Sequence, residues 1–245
     1  MRLRESEAIV LRSYPLGEGD RLVSFLGRST GRLRGVARGA RRPKSRFGST
    51  LELFSHIRIW FYERETRELV RIHQCELVES FLDVQQDYAA GLALAVVSEV
   101  TQAVLPEREP ADASFRLLLL TARAVRQLGS GTLPLAYFSL WTVRLGGWLP
   151  SLERCARCSR ELGAEAAYIA AGHFACSKCR LPGMRALSAE ALGLARRMLQ
   201  EKLEHIAEAK PGEAAARALT SAMLDVVEHQ IERKLTTRAL LESQS

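Results

Sequence analysis

Four cysteines set in two pairs constrain this chain more than any other feature of it. Cys155 and Cys158 enclose two residues, Cys176 and Cys179 enclose two more, and 17 residues lie between the pairs. Two residues between cysteines let a tight turn aim both sulfurs at one point, and two such turns supply four thiolates in a tetrahedron. Zn2+ accepts that arrangement because its filled d shell prefers no other. Four protein ligands leave no position for water, so the expected ion is structural, not catalytic. Two disulfides would use the same cysteines but need an oxidising compartment. Residues 1–13 carry charges among their apolar side chains, so no signal-like stretch forms. No apolar run approaches the roughly 20 residues that span a bilayer, and the longest, residues 89–97, reads as a buried helix. The chain is therefore expected in the cytoplasm and off the membrane. His173, three residues before Cys176, is a spare ligand, and Cys75 reads as a small buried hydrophobe in a strand.

The texture of the chain changes once. Up to about residue 80, apolar and polar residues alternate with a period of two, which a half-buried strand needs. The strand candidates are Ala8–Leu11, Leu22–Leu26, Arg32–Arg38, Leu51–Tyr62 and Leu69–Leu77. In the third, Arg32, Arg34, Val36 and Arg38 share one face, and Leu33, Gly35 and Ala37 the other. In the fourth, Leu53, Ile57, Ile59 and Phe61 fall on one side, and Phe54, His56, Arg58, Trp60 and Tyr62 on the other. Five strands joined by short glycine-bearing turns suggest a small barrel.

From about Phe81 the apolar residues recur at helical spacing. Tyr88–Leu105 predicts one helix, ended by Pro106. Asp112 predicts the N-cap of a second, stopped by Gly129, and Pro134–Trp148 a third with Pro134 at its first position. Ser188 should cap a helix through about Glu204, and Pro211-Gly212-Glu213 should open the last, through about Arg238, before a frayed tail. The expected architecture is α+β and multi-domain. Residues 1–80 form a five-stranded barrel, and residues 81–245 a helical domain with a metal-binding insert at 150–182.

The charge is one-sided. The formal net charge is +7; residues 1–80 carry 16 Lys+Arg against 10 Asp+Glu, and the remainder 19 against 18. Residues 21–51 hold nine basic residues and no acidic one. Arg28, Arg32, Arg34, Arg38, Arg41, Arg42, Lys44 and Arg46 are the expected nucleic-acid contacts, with Arg38–Arg46 as a flexible basic loop after a strand. Each cation that neutralises a phosphate releases counterions, so binding should weaken with salt and be largely indifferent to sequence. Phe47, Phe54, Trp60 and Tyr62 either stack on unpaired bases or fill the barrel, Phe54 reading as core. A solvated basic face with no partner is the plainer account, and a membrane surface fits poorly because the run has no amphipathic-helix pattern.

Catalytic signals fail on context. Gly27-Arg28-Ser29-Thr30-Gly31 matches G-x-S-x-G, but a nucleophile elbow needs a helix after it and strand-like text follows here. No phosphate-cradling or H-E-x-x-H motif occurs, the five histidines are scattered, and Glu63 and Glu65 read as solvated carboxylates at a hairpin tip. A binding protein is expected, not an enzyme.

The run Glu7–Tyr14, then Gly17-Glu-Gly-Asp-Arg-Leu-Val23, resembles the start of the bacterial RecO recombination and repair family. So do Gly31–Arg46 followed by Leu51-Glu-Leu-Phe54, and Leu145-Gly146-Gly147 with Pro150 just before the cysteines. The resemblance spans essentially the whole chain. It implies an N-terminal OB fold, a helical domain with a zinc-bearing insert, and a mediator without a chemical step. It further implies binding of single- and double-stranded DNA, annealing of complementary strands, and work with RecR and single-strand-binding protein so that the recombinase can load. An RNA- or ribosome-associated zinc-ribbon protein would share the charge and the cysteines, and is the second reading.

Overall fold

The alternation in the first third folds as five strands, β1 (Arg2–Leu16), β2 (Asp20–Gly27), β3 (Gly31–Ala37), β4 (His56–Glu63) and β5 (Val70–Glu79). The computed structural model describes residues 2–64, 67–163 and 166–243. Their order round the sheet is β1-β2-β3-β5-β4, closed on itself, which is the OB barrel. Closure depends on β3 meeting β5 in parallel, from Gly35 opposite Val70 to Ala37 opposite Ile72. A Cβ on Gly35 would lie 2.8 Å from a Val70 methyl and 2.9 Å from Ile72, so only glycine lets the strands approach there. Inward residues Val10, Phe25, Leu33, Ile57, Ile59, Phe61 and Ile72 form the core, with the Phe25 and Phe61 rings 5.8 Å apart. Cys75 belongs to the same core, and burial pushes its thiol up to about 12, as suits a small hydrophobe.

The long connection from β3 to β4 drops Phe47 and Leu51 into the core. Residues 51–54 are turns and not strand, so the fourth strand is shorter than its alternation predicts. Phe54 sits at φ 61° there, fully buried, its N–H donating to Val10 O at 2.8 Å. The phase of the strand is as its alternation predicts: Ile57, Ile59 and Phe61 point in, while Trp60 and Tyr62 lie on the outer wall. There Trp60 Nε1 donates to Glu5 at 3.1 Å, and Tyr62 meets His73 edge to face.

Two helices complete this first compact unit, which runs through Gly129: α1 (Tyr88–Val104) and α2 (Asp112–Leu128). Asp87 caps α1 by accepting from Ala90 N at 2.8 Å, and Gly129 ends α2 in the left-handed conformation. Asp112 is the first residue of α2 and not its cap; its carboxylate is taken by Arg28 and Arg116. On the outer wall His56 is buried against Phe115 of α2, and desolvation holds its pKa below the usual value.

The second unit, from Ser130 on, contains α3 (Thr132–Leu145), a sheet ordered β7-β6-β8, and four more helices. Its strands are β6 (Ala166–Ile169), β7 (His173–Cys176) and β8 (Arg185–Leu187). The helices are α4 (Ala189–Gln200), α5 (Leu203–Glu208), α6 (Glu213–Gln230) and α7 (Thr236–Glu242). Pro134 falls at the third position of α3, where its missing N–H again has no intrahelical partner to lose. Ser188 caps α4 as expected, but the chain breaks at Glu201, so the helix predicted through Glu204 is two. The last predicted helix is also two. Between them Leu235 N–H and Lys234 reach back to Glu228 of α6, at 2.9 and 2.8 Å. Arg238 of α7, 7% exposed, pairs with the half-buried Asp225 at 2.8 Å and the buried Glu228 at 3.0 Å, so two acids share one buried cation.

Candidate nucleic-acid interface and metal centre

The eight basic residues singled out in the first third fall into two groups. Arg28, Arg32 and Arg34 are held by carboxylates of their own unit. Arg28 pairs with Asp112 at 2.7 Å and Glu7 at 2.9 Å; these bonds tighten the guanidinium's hold on its proton and keep Asp112 below the usual carboxylate range. Arg32 donates to Leu105 O at 2.9 Å and pairs with Glu107 at 3.2 Å; Arg34 pairs with the same carboxylate at 3.0 Å. The segment after α1 supplies these partners because it runs beside β3, with Arg108 N–H donating to Arg32 O at 3.0 Å. Gly31 permits the approach: a Cβ there would lie 2.1 Å from Glu109 O. Arg108 pairs with Glu63, and Arg4 reaches the same carboxylate at 2.8 Å, keeping its pKa low. Glu63 is thus a paired, largely covered acid instead of a solvated one; Glu65 lies outside the described residues.

Arg38, Arg41, Arg42, Lys44 and Arg46 are exposed, and among the described residues none forms an ion pair. Their segment folds as successive turns, with Arg42 N–H to Gly39 O at 3.1 Å and Ser45 N–H to Arg42 O at 3.0 Å. It is also tied to the β1–β2 turn. Arg41 N–H donates to Gly19 O at 3.0 Å, its guanidinium to Gly17 O at 2.8 Å, and Gly39 N–H to Asp20 at 2.8 Å. The loop is therefore a folded platform with its charge turned outward.

Beside it opens a groove of about 500 Å³, between the β1–β2 turn and the β4–β5 connection. Leu16, Val36 and Leu69 contribute apolar surface, and the charge is mixed, from Arg38, Arg67 and Arg71 against Asp20 and Glu68. An OB barrel takes oligonucleotides on this β2–β3 face and between these two loops. Arg67 and Arg71 do not stand out in the sequence, because a lone Arg beside Glu68 carries no signal until the barrel closes. Of the four aromatics, Phe47 and Phe54 are buried and closed to bases; Trp60 and Tyr62 remain partly exposed on the outer wall. Ser29 sits in the three-residue turn joining β2 to β3, where Gly27 pairs with Gly31. A strand follows it, so the turn is a hairpin and not an elbow.

The cysteines converge. The sulfurs of Cys155, Cys158, Cys176 and Cys179 all lie within 4.8 Å of one another, with Cys158 and Cys176 at 3.8 Å. That is close to the edge of a sulfur tetrahedron built on bonds of about 2.3 Å, roughly 3.8 Å. Two turns aim them. The first is closed by Cys155 N–H to Arg160 O at 2.8 Å and Ser159 N–H to Cys155 O at 2.9 Å, with Ser159 at φ 58°. The second follows the end of β7. Backbone N–H groups, Cys176's first, draw the Cys155 thiol down to about 6, while hydrogen bonding to Cys158 and its neighbours pushes Cys179 up to about 12. Four sulfurs this close cannot all ionise unless a cation joins them. The donor set fits a thiophilic metal ion, and His173, at the other end of β7, lies outside it.

No helix among the described residues is long and apolar enough to cross a membrane. Compared with known proteins, residues 1–81 match the family described as "Recombination protein O N terminal" and residues 85–239 "Recombination protein O C terminal". The chain is 38% identical over 244 residues to "DNA repair protein RecO" of Koribacter versatilis (strain Ellin345), covering 98% of each chain.

Proposed function

This chain belongs to the RecO family of DNA repair proteins, and from that premise we propose that it binds single- and double-stranded DNA and anneals complementary strands without a chemical step. The observation that carries this reading is the division of the arginines. Those of β3 are spent on carboxylates, whereas the turn platform from Arg38 to Arg46 keeps its charge for an outside anion. The mechanism is physical. The platform collects strands and screens the repulsion between them, raising their local concentration so that pairing accelerates. The groove suits an unpaired segment, since its apolar floor takes a base and Arg38, Arg67 and Arg71, which outnumber Asp20 and Glu68 there, take phosphates.

The cysteine site holds Zn2+ in a structural role, fixing the insert by four thiolates and leaving no position for substrate. The partners are those of the family: RecR, single-strand-binding protein, and through them the recombinase. The place of action is the bacterial cytoplasm at the nucleoid.

The test is annealing of two complementary oligonucleotides, bare and coated with single-strand-binding protein. The wild-type chain should accelerate both. Replacing Arg38, Arg41, Arg42 and Lys44 by Ala should weaken DNA binding at every sequence and flatten its salt dependence by about 3 to 4 in the logarithmic slope, at roughly 0.7–0.9 for each phosphate neutralised. An unchanged slope moves the site elsewhere. Tight binding without acceleration, or a preference for structured RNA, favours an RNA-associated role.

A further inference from the structure

The second unit carries a cationic surface of its own on the two cysteine turns, and we infer that it is a second binding site for the phosphate backbone of DNA. Arg157 lies inside the first C-x2-C turn and Lys178 inside the second, with Arg160 just beyond the first. All three are exposed. Because the four sulfurs lie within 4.8 Å of one another, turns 17 residues apart in sequence are brought side by side with their cations.

The contrast with most arginines of this unit's sheet and helices points to an outside partner, although Arg144, Lys202 and Lys210 also make no ion pair among the described residues. Arg185 is held by Asp225, Arg196 by Glu153, Arg197 by Glu201, Arg217 by Glu213, and Arg238 by Asp225 and Glu228. Among the described residues, the side chains of Arg157, Arg160 and Lys178 make no ion pair and no hydrogen bond. Counter-charge for a metal tetrathiolate is the competing account. No guanidinium or ammonium among the described residues donates to a sulfur, and the Cys155 sulfur is served by backbone N–H groups instead. Turns pinned by a metal also hold their cations in place before binding, so little ordering entropy is lost when phosphates arrive. A phosphate backbone is the occupant that the proposed DNA binding supplies for three cations without acids of their own; Leu181, exposed just past the second turn, makes an acidic peptide with an apolar anchor the competing occupant, which the test separates.

The site rests on the proposal that the chain binds DNA, but not on the β3–β4 platform. The test uses the full chain and a labelled oligonucleotide titrated across a series of salt concentrations, with metal content measured alongside. Replacing Arg157, Arg160 and Lys178 by Gln should make the slope of log affinity against log salt shallower by about 2 to 3, at roughly 0.7–0.9 for each phosphate no longer neutralised, with full metal content. A second variant with Arg157 and Arg160 changed to Lys keeps the charge and should keep the slope. The platform variant should add its own decrease to that of the Gln variant. If only the platform variant flattens the slope, this inference is overturned and the platform reading stands; if only the Gln variant does, the reverse holds. Loss of metal from the Gln variant, with the slope kept in the Lys variant, would assign the cations to the cluster and overturn the site. So would an unchanged DNA slope with lost binding of an acidic peptide.

Discussion

The barrel and the cysteine insert are both small β structures, but different forces hold them. The barrel has strands of 7 to 15 residues, closed on one another around a core containing Phe25, Phe47, Phe61 and several branched aliphatics. The insert has strands of 3 and 4 residues and no closure. Three such strands bury too little to offset the entropy of ordering them. Its side chains do contribute: Tyr168 and Phe174 are buried, and Tyr168 donates to Asp225 of α6 at 2.9 Å. The decisive term is the four sulfurs. Where a core can be built, apolar burial specifies the fold; where the segment is too short for one, four converging sulfurs offer a site at which a metal ion would supply the missing cross-link.

The largest effect that can break this comparison is removal of the metal proposed for the four sulfurs. Structural zinc contributes on the order of 10 kcal/mol or more to the folding of such sites. Chelation, or Cys155→Ser, should therefore expose the amides of residues 153–187 to hydrogen exchange while β1–β5 keep their protection. Equal loss in the barrel would show that the two regions are not independently held. Next is Phe25→Ala, which empties a fully buried aromatic position and should cost about 3–5 kcal/mol. Denaturant unfolding should show that loss in the barrel transition, with metal content unchanged; a matching loss of metal would contradict the division.

The smallest effect concerns pH. His56 is buried on the barrel wall facing Glu7, Glu79, Arg28 and Arg123, and desolvation lowers its pKa. The unfolded chain, with an ordinary histidine near 6.5, then binds the proton more readily. Stability from this group is full above that value and is lost as pH falls through it towards the lowered folded pKa. Melting of the wild type should decline from pH 7.5 to 5.5, and His56→Gln should decline less. Parallel curves would remove His56 from the account.

Much of the barrel is legible in the first 80 residues because alternation reports directly which side chains face in, and Ile57, Ile59 and Phe61 do. The end of that alternation is not legible. Residues 51–54 keep the pattern of a strand but turn, because burying Leu51 and Phe54 asks only for apolar side chains and not for extended backbone. The helix breaks at Glu201 and at residues 231–235 are hidden for a similar reason. Helical spacing continues across them, and at the second break the bonds from Lys234 and Leu235 to Glu228 decide the turn.

The sequence by itself determined the two cysteine pairs able to hold a metal ion, since two residues between cysteines is a local constraint that a tight turn satisfies wherever it lies. It also determined the excess of positive charge in the first third. Only the tertiary structure decided which of those charges remain available. Glu107 reaches Arg32 and Arg34 across 75 and 73 positions, and Asp112 reaches Arg28 across 84. Ion pairs depend on distance in space, which falls to about 3 Å only after the barrel closes and the chain beyond α1 runs along β3.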